Sequence, residues 1–117
     1  MLLKKCVEIL DAKILVESPD ENLNITVACG ADLMSDVMAF ACSSNEMMLT
    51  GLVNPQAVRT AEMMDVKVIV FVRGKEPDES MRELAKEKGI CLLTTHLPMF
   101  TSCGRLYEAG IKGKGEA

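Results

Sequence analysis

Apolar and polar positions alternate along this chain in a repeating unit, a short apolar run followed by a longer amphipathic stretch. Residues 25–42, ITVACGADLMSDVMAFAC, show it most plainly. The run Ile25-Thr26-Val27-Ala28-Cys29 reads as a strand and stops at Gly30. Leu33, Met34, Val37, Met38 and Ala41 then recur at i, i+1, i+4, i+5 and i+8, one wide apolar face at the helical period. Asp32 fits the N-cap of that helix, since its carboxylate can accept from the first free N–H groups.

The same grammar runs the length of the chain. Residues 2–10 form a short amphipathic helix with Leu3, Cys6, Val7 and Leu10 on one face, and residues 12–16 form a strand. Pro19 marks a polar loop, because no strand interior tolerates it. After the organising strand and helix, Ser43-Ser44-Asn45 ends the helix and residues 47–50 form a strand closing at Gly51. Met47 and Met48 are adjacent in that strand and point to opposite faces, so both faces should be covered. Asn54-Pro55 is a helix start, with Asn as cap and Pro at the first helical position. Ala57, Val58, Ala61 and Met64 face the core from that helix, and Arg59 lies one turn from the cap.

Residues 66–72, VKVIVFV, are the most β-branched run and the natural central strand. Arg73-Gly74-Lys75 follows at its carboxyl end. Pro77, Asp78 and Glu79 begin a helix through Lys88, with Asp78 and Arg82 spaced as an i,i+4 ion pair and Gly89 as its left-handed stop. Residues 90–94 are the last strand. Pro98 leads a final helix whose Met99, Cys103, Leu106 and Tyr107 face inward and which Gly110 ends. Strands alternating with helices predict an α/β fold: three layers, with helices on both faces of a mostly parallel sheet. One domain spans residues 1–111, and residues 112–117 form a flexible tail with nothing to bury.

Composition narrows the function classes. Acidic residues outnumber basic ones, 17 to 13, which argues against non-specific nucleic-acid binding. No apolar run approaches the ~20 residues of a membrane span. The start MLLKKCVEILDAK lacks the apolar core of a secretory signal, so a cytoplasmic location is expected. With 49% hydrophobic residues, nine methionines and the pairs Met47-Met48 and Met63-Met64, more apolar surface is present than one small core hides, which predicts a homodimer. Five cysteines form no CxxC pair and are expected to be reduced core thiols. A metal or redox role is the alternative, with Cys29 its candidate because it precedes the turn glycine.

Catalytic signals are few. Neither a phosphate loop nor a G-x-G-x-x-G fingerprint is present, and the single histidine, His96, has no second ligand or nucleophile elbow beside it. No catalytic residue, metal ligand or cofactor is therefore assigned. Asp32 and Asp36 stand at i,i+4 with Ser35 between them, either a cap plus a solvated carboxylate or part of a polar site. Ligands of open parallel sheets bind beyond the carboxyl ends of the strands. There the chain places Gly30 and Asp32, then Gly51 and Asn54, then Arg73, Gly74 and Lys75, then Thr94 and Thr95. Arg59 joins them if it faces the same side. Glycines permit close approach, helix N-termini attract anions and Arg73 can clamp a phosphate, although glycines that merely turn corners would look the same.

The runs ADLMSDVMAFA, TGLVNPQAVRTAEMMDVKVIVFVRGKEPDE and ICLLTTHLPMFTSCGRLYEAGI resemble the DRTGG domain family, over residues 25–111. The name-giving stretch reads Asn24-Ile25-Thr26-Val27-Ala28-Cys29-Gly30 here and keeps only a glycine. Such domains stand alone, lie between CBS domains of regulated pyrophosphatases or occur in phosphotransacetylases, and are similar to the N-terminal domain of HPr kinase/phosphorylase. The resemblance implies a regulatory or dimerising module, and no catalytic residue carries over. The resulting expectation is a non-catalytic regulatory domain, homodimeric, with an anionic small molecule (a nucleotide or phosphorylated metabolite) or a protein as partner. A small enzyme on an open α/β sheet and a redox- or metal-linked accessory protein are the alternatives.

Overall fold

In the computed structural model of the protein, which describes residues 1–40 and 45–114, the apolar runs meet in one five-stranded sheet. The elements follow as α1 (Leu3–Leu10), β1 (Lys13–Val16), β2 (Val27–Gly30), α2 (Met34–Phe40), β3 (Glu46–Thr50), α3 (Pro55–Met63), β4 (Val68–Phe71), α4 (Glu79–Lys88), β5 (Cys91–Thr94) and α5 (Met99–Glu108). The strand order is β1-β5-β4-β3-β2, so the β-branched run is indeed central. Strands β2 to β5 are parallel, whereas β1 pairs antiparallel with β5, Lys13 opposite Thr94, with an irregularity between Ile14 and Val16.

The sheet is therefore mixed, a correction to the mostly parallel one expected. Its cause lies at the end of α1. The Leu10 carbonyl accepts the Thr95 hydroxyl at 2.7 Å, which ties that helix end to the carboxyl edge of the parallel strands. Asp11, left-handed at φ 49°, turns the chain there, and β1 can only run back from that edge.

Side chains along the strands alternate between two buried clusters. Met47, Leu49, Val68, Val70 and Leu93 pack with Leu3, Cys6 and Leu10 of α1 and Leu106 of α5. Met48, Ile69, Phe71 and Leu92 pack with Val37 of α2, Ala57, Val58 and Ala61 of α3, and Met81 and Ala85 of α4. Each large side chain fully buried this way contributes roughly 1.5–3 kcal/mol. Both Met47 and Met48 are completely buried, as two adjacent residues of a doubly covered strand must be.

Helix ends follow local chemistry where the sequence is explicit. The Asn54 side chain accepts the Gln56 N–H at 2.9 Å with Pro55 beside it, the Asp78 carboxylate accepts the Met81 N–H at 2.9 Å, and Gly89 is left-handed at φ 71°. That capping bond redirects Arg82. It pairs with Glu76 at 3.0 Å rather than with Asp78, and its Nε donates to the Pro77 carbonyl.

Two helices differ from expectation on their faces. Helix α2 starts at Met34, and the Leu33 carbonyl accepts from Asp36 and Val37, so Leu33 and not Asp32 holds the capping position. Met34 and Val37 are buried, but Leu33 and Met38 are 64% and 45% exposed. A seven-residue helix presents a narrow stripe to the core, not the wide face its pattern suggests. Ala41, Cys42 and the helix stop at Ser43-Ser44 lie outside the described residues. In α5, Leu106 is buried and Met99 and Cys103 half-buried, while Tyr107 faces outward with its ring under Lys112 Nζ at 4.7 Å, and Ser102 takes the inward position. Lys112 is still paired where a frayed tail was expected: its carbonyl accepts the Ala28 N–H at 3.0 Å and its N–H donates to Thr26. Residues 115–117 lie outside the described residues.

Candidate functional site

The parallel strands β2, β3 and β4 end side by side, with Gly30 level with Leu49 and Thr50 level with Phe71. The chain leaving them brings Asp32, Gly51 and Arg73 together. Asp32 Oδ1 accepts the Gly51 N–H at 2.7 Å, and Lys75 Nζ donates to the Gly51 carbonyl at 3.1 Å. Gly51 is buried between them, and its lack of a side chain leaves the space the Arg73 guanidinium occupies. A Cβ there would run into the Arg73 guanidinium and stand 3.1 Å from Asp32 Oδ1. The guanidinium thus rests on a bare Cα beside a carboxylate.

Arg73 reaches that position through an uncommon backbone. Its φ is 62° and that of Gly74 is 71°, so two left-handed residues follow one another. For a non-glycine residue this costs ~1–2 kcal/mol. The turn is held by the Arg73 N–H on the Leu97 carbonyl at 2.9 Å and the Gly74 N–H on the Thr95 carbonyl at 2.7 Å. Among the described residues the exposed guanidinium itself has no hydrogen-bond or ion-pair partner. Five forked donors are left for something else.

The other expected site residues have different tasks. The Thr94 hydroxyl donates to the Lys75 carbonyl at 2.6 Å and braces the 73–75 turn. The Thr95 hydroxyl donates to Leu10 and accepts the Leu97 N–H at 3.3 Å. Both hydrogens are spent on carbonyls, so neither threonine is placed as a donor to a ligand. Asn54 is committed to its cap, and Arg59 stands exposed on α3 with no hydrogen bond or ion pair to the Gly51 cluster among the described residues. Gly30 meets α5: a Cβ there would lie 2.8 Å from Cys103 Sγ and 3.1 Å from Met99 Sδ. It lines two cavities beside β2, one of about 120 Å³ with Leu106 and Tyr107, the other of about 390 Å³ with Cys29, Asp36 and Lys114. His96 is exposed and faces Asp11, with Nδ1 3.9 Å from Oδ2.

The thiols are held protonated. Burial pushes the Cys91 thiol up to about 12 and raises Cys6 and Cys103, and Cys29 is raised by burial, then by the neighbouring Glu46, Cys103 and Asp36. A nucleophilic or metal-binding cysteine needs the opposite, a stabilised thiolate. Cys42 lies outside the described residues.

Sequence reasoning placed Asp32 at a helix start and Gly51 at a strand end, but not their contact. The two are 19 residues apart, and their bond depends on strands β2 and β3 being neighbours. Gly51, immediately after a strand at the carboxyl edge, was the one local signal that pointed to the spot.

No protein-family profile matches the chain, and neither does any curated protein. Among solved structures, the chain is similar to the CBS and DRTGG domains of the regulatory region of Clostridium perfringens pyrophosphatase, complexed with its activator diadenosine tetraphosphate. The TM-score is 0.78 at 16% identity, over 98% of this chain and 51% of that one, so the chain spans about half of its neighbour. The likeness read from the sequence runs ADLMSDVMAFA to LYEAGI thus holds for the backbone as a whole, and the chain carries the fold of a DRTGG-like α/β domain.

Proposed function

We propose that this chain is a non-catalytic regulatory domain, a three-layer α/β unit with helices on both faces of its sheet, that takes an anionic small molecule at the carboxyl edge. A nucleotide or a phosphorylated metabolite is the ligand class. The observation that carries the reading is the Arg73 guanidinium, exposed and unpartnered among the described residues, lying on the bare Cα of Gly51 at the ends of three parallel strands. An arginine in that position can bind a phosphate through two parallel N–H bonds. The similar regulatory region is complexed with a nucleotide activator, which fits this class. Reduced thiols fit a cytoplasmic setting.

The test is a thermal-shift panel of mono-, di- and triphosphates, diadenosine tetraphosphate and sugar phosphates on the wild type and Arg73→Ala. A ligand at a hundred times its Kd should stabilise the wild type by about 2.7 kcal/mol. Losing the arginine contact should weaken binding by roughly ten- to a hundredfold. If no anion shifts the wild type, or Arg73→Ala responds identically, the reading fails.

The same reading makes the protein a homodimer. Leu33, Met38 and Met63, on and beside the neighbouring helices α2 and α3, are 64%, 45% and 67% exposed, an apolar surface that suits a second copy. Light scattering at micromolar concentration should give twice the monomer mass, and a monomer alone would remove this part.

A further inference from the structure

We propose that Asp32 decides which anions the site accepts: those carrying a hydroxyl or amine donor beside the anionic group enter, and bare anions without a donor, such as sulfate, are turned away. The inference rests on the anion site proposed above and deepens it.

A site for a bare anion would be built from arginine, lysine and backbone amides alone. Here the amide of Gly51, on whose Cα the Arg73 guanidinium rests, is already occupied by a carboxylate, because Asp32 Oδ1 accepts the Gly51 N–H at 2.7 Å. The point where a Gly51 side chain would begin lies 3.1 Å from Asp32 Oδ1 and 3.2 Å from Arg73 Cζ. The Asp32 carboxylate and the Arg73 guanidinium thus flank the same point, and an anion held by the guanidinium lies in the field of that negative charge. Lys75 adds a second cation at the Gly51 carbonyl, so the three side chains sum to a single positive charge, less than a phosphate dianion needs. At ~8 Å, in the dielectric of a protein surface and with solvent screening, the carboxylate weakens a bare anion by roughly tenfold or more.

The same carboxylate reverses its effect when the ligand brings a donor. A carboxylate has about four acceptor positions, and the Gly51 N–H fills one of them. A ligand hydroxyl next to the phosphate would take another and turn repulsion into a charge-assisted hydrogen bond. A ribose phosphate has this chemistry, with hydroxyls close to the phosphoryl group. Sulfate has no hydrogen to donate and meets Asp32 only as a second negative charge.

The experiment is calorimetric titration of the full chain, wild type and Asp32→Asn, with ribose 5-phosphate and sulfate as probes. Asparagine keeps an acceptor oxygen for the Gly51 N–H and removes the charge, and Asp32 is exposed, so the fold should survive. Asp32→Ser serves as a second neutral variant. The wild type should prefer ribose 5-phosphate by about tenfold, and Asp32→Asn should gain about tenfold for sulfate, so that the preference collapses. A preference unchanged in both neutral variants, or a wild type that binds both probes equally, overturns the assignment of Asp32 and leaves the anion site standing. If neither probe binds any of the three proteins, the anion site falls and this inference with it.

Discussion

Gly51→Ala separates the candidate site from the stability of the fold. The added Cβ meets the Arg73 guanidinium first, and that group is the far end of a flexible, exposed side chain without a partner among the described residues. It can swing away at little cost. The second neighbour, Asp32 Oδ1 at 3.1 Å, must yield by a few tenths of an ångström. Gly51 is not among the left-handed glycines, so alanine fits its backbone. Alanine also restricts the unfolded chain, which favours folding by about 0.4–1 kcal/mol. This is close to what the tight carboxylate contact takes back, so net stability should stay within about 1 kcal/mol. The melting temperature should then move by no more than ~5 °C.

Binding should respond very differently. The guanidinium loses its seat, and with it a charged hydrogen bond worth roughly 1.5–3 kcal/mol, or ten- to a hundredfold in affinity. Scanning calorimetry reads the first quantity, and titration with the best nucleotide from the thermal-shift panel reads the second. A loss of more than ~3 kcal/mol in stability would mean that Gly51 is needed by the backbone rather than by Arg73. Wild-type affinity in Gly51→Ala would mean that the guanidinium does not bind from this position. Either result would refute the reasoning.

Two further outcomes concern the frame around the site. Thr95→Val removes the buried hydroxyl that joins the Leu10 carbonyl at 2.7 Å to the carboxyl edge, and the orphaned carbonyl should cost about 1–3 kcal/mol, read as a lower urea midpoint. An unchanged midpoint would show that α1 and β1 are held there by apolar packing alone. The Cys91 thiol, raised from 9.0 to about 12 by burial and then by Glu17, should make stability pH-dependent. Below pH 9 both states keep the proton and the contribution is whole; above it the unfolded chain loses the proton first, so stability falls between pH 9 and about 12. Urea midpoints at roughly pH 7.5, 9 and 10.5 should therefore decline more steeply in the wild type than in Cys91→Ala. Equal slopes would contradict it.

What the sequence determined by itself is whatever the chain decides within a few residues. Asn54-Pro55, Asp78 and Gly89 set helix ends because a side chain and an N–H two or three positions away, or one glycine in a left-handed conformation, suffice. The β-branched run around β4 is buried on both faces because its composition leaves no solvent side. The direction of β1 was beyond such reasoning, since it depends on where α1 ends relative to Thr95, 85 residues away. So was the diversion of Asp32 from capping its own helix to holding Gly51, because either N–H would satisfy the carboxylate and only the neighbouring of β2 and β3 selects one. Thr94 and Thr95 were read correctly as lying at the carboxyl edge, but the tertiary structure spends their hydroxyls on carbonyls that no local pattern brings near. The residue types at the edge are written in the chain. Which of them meet is a property of strand order, and that is settled by long-range packing.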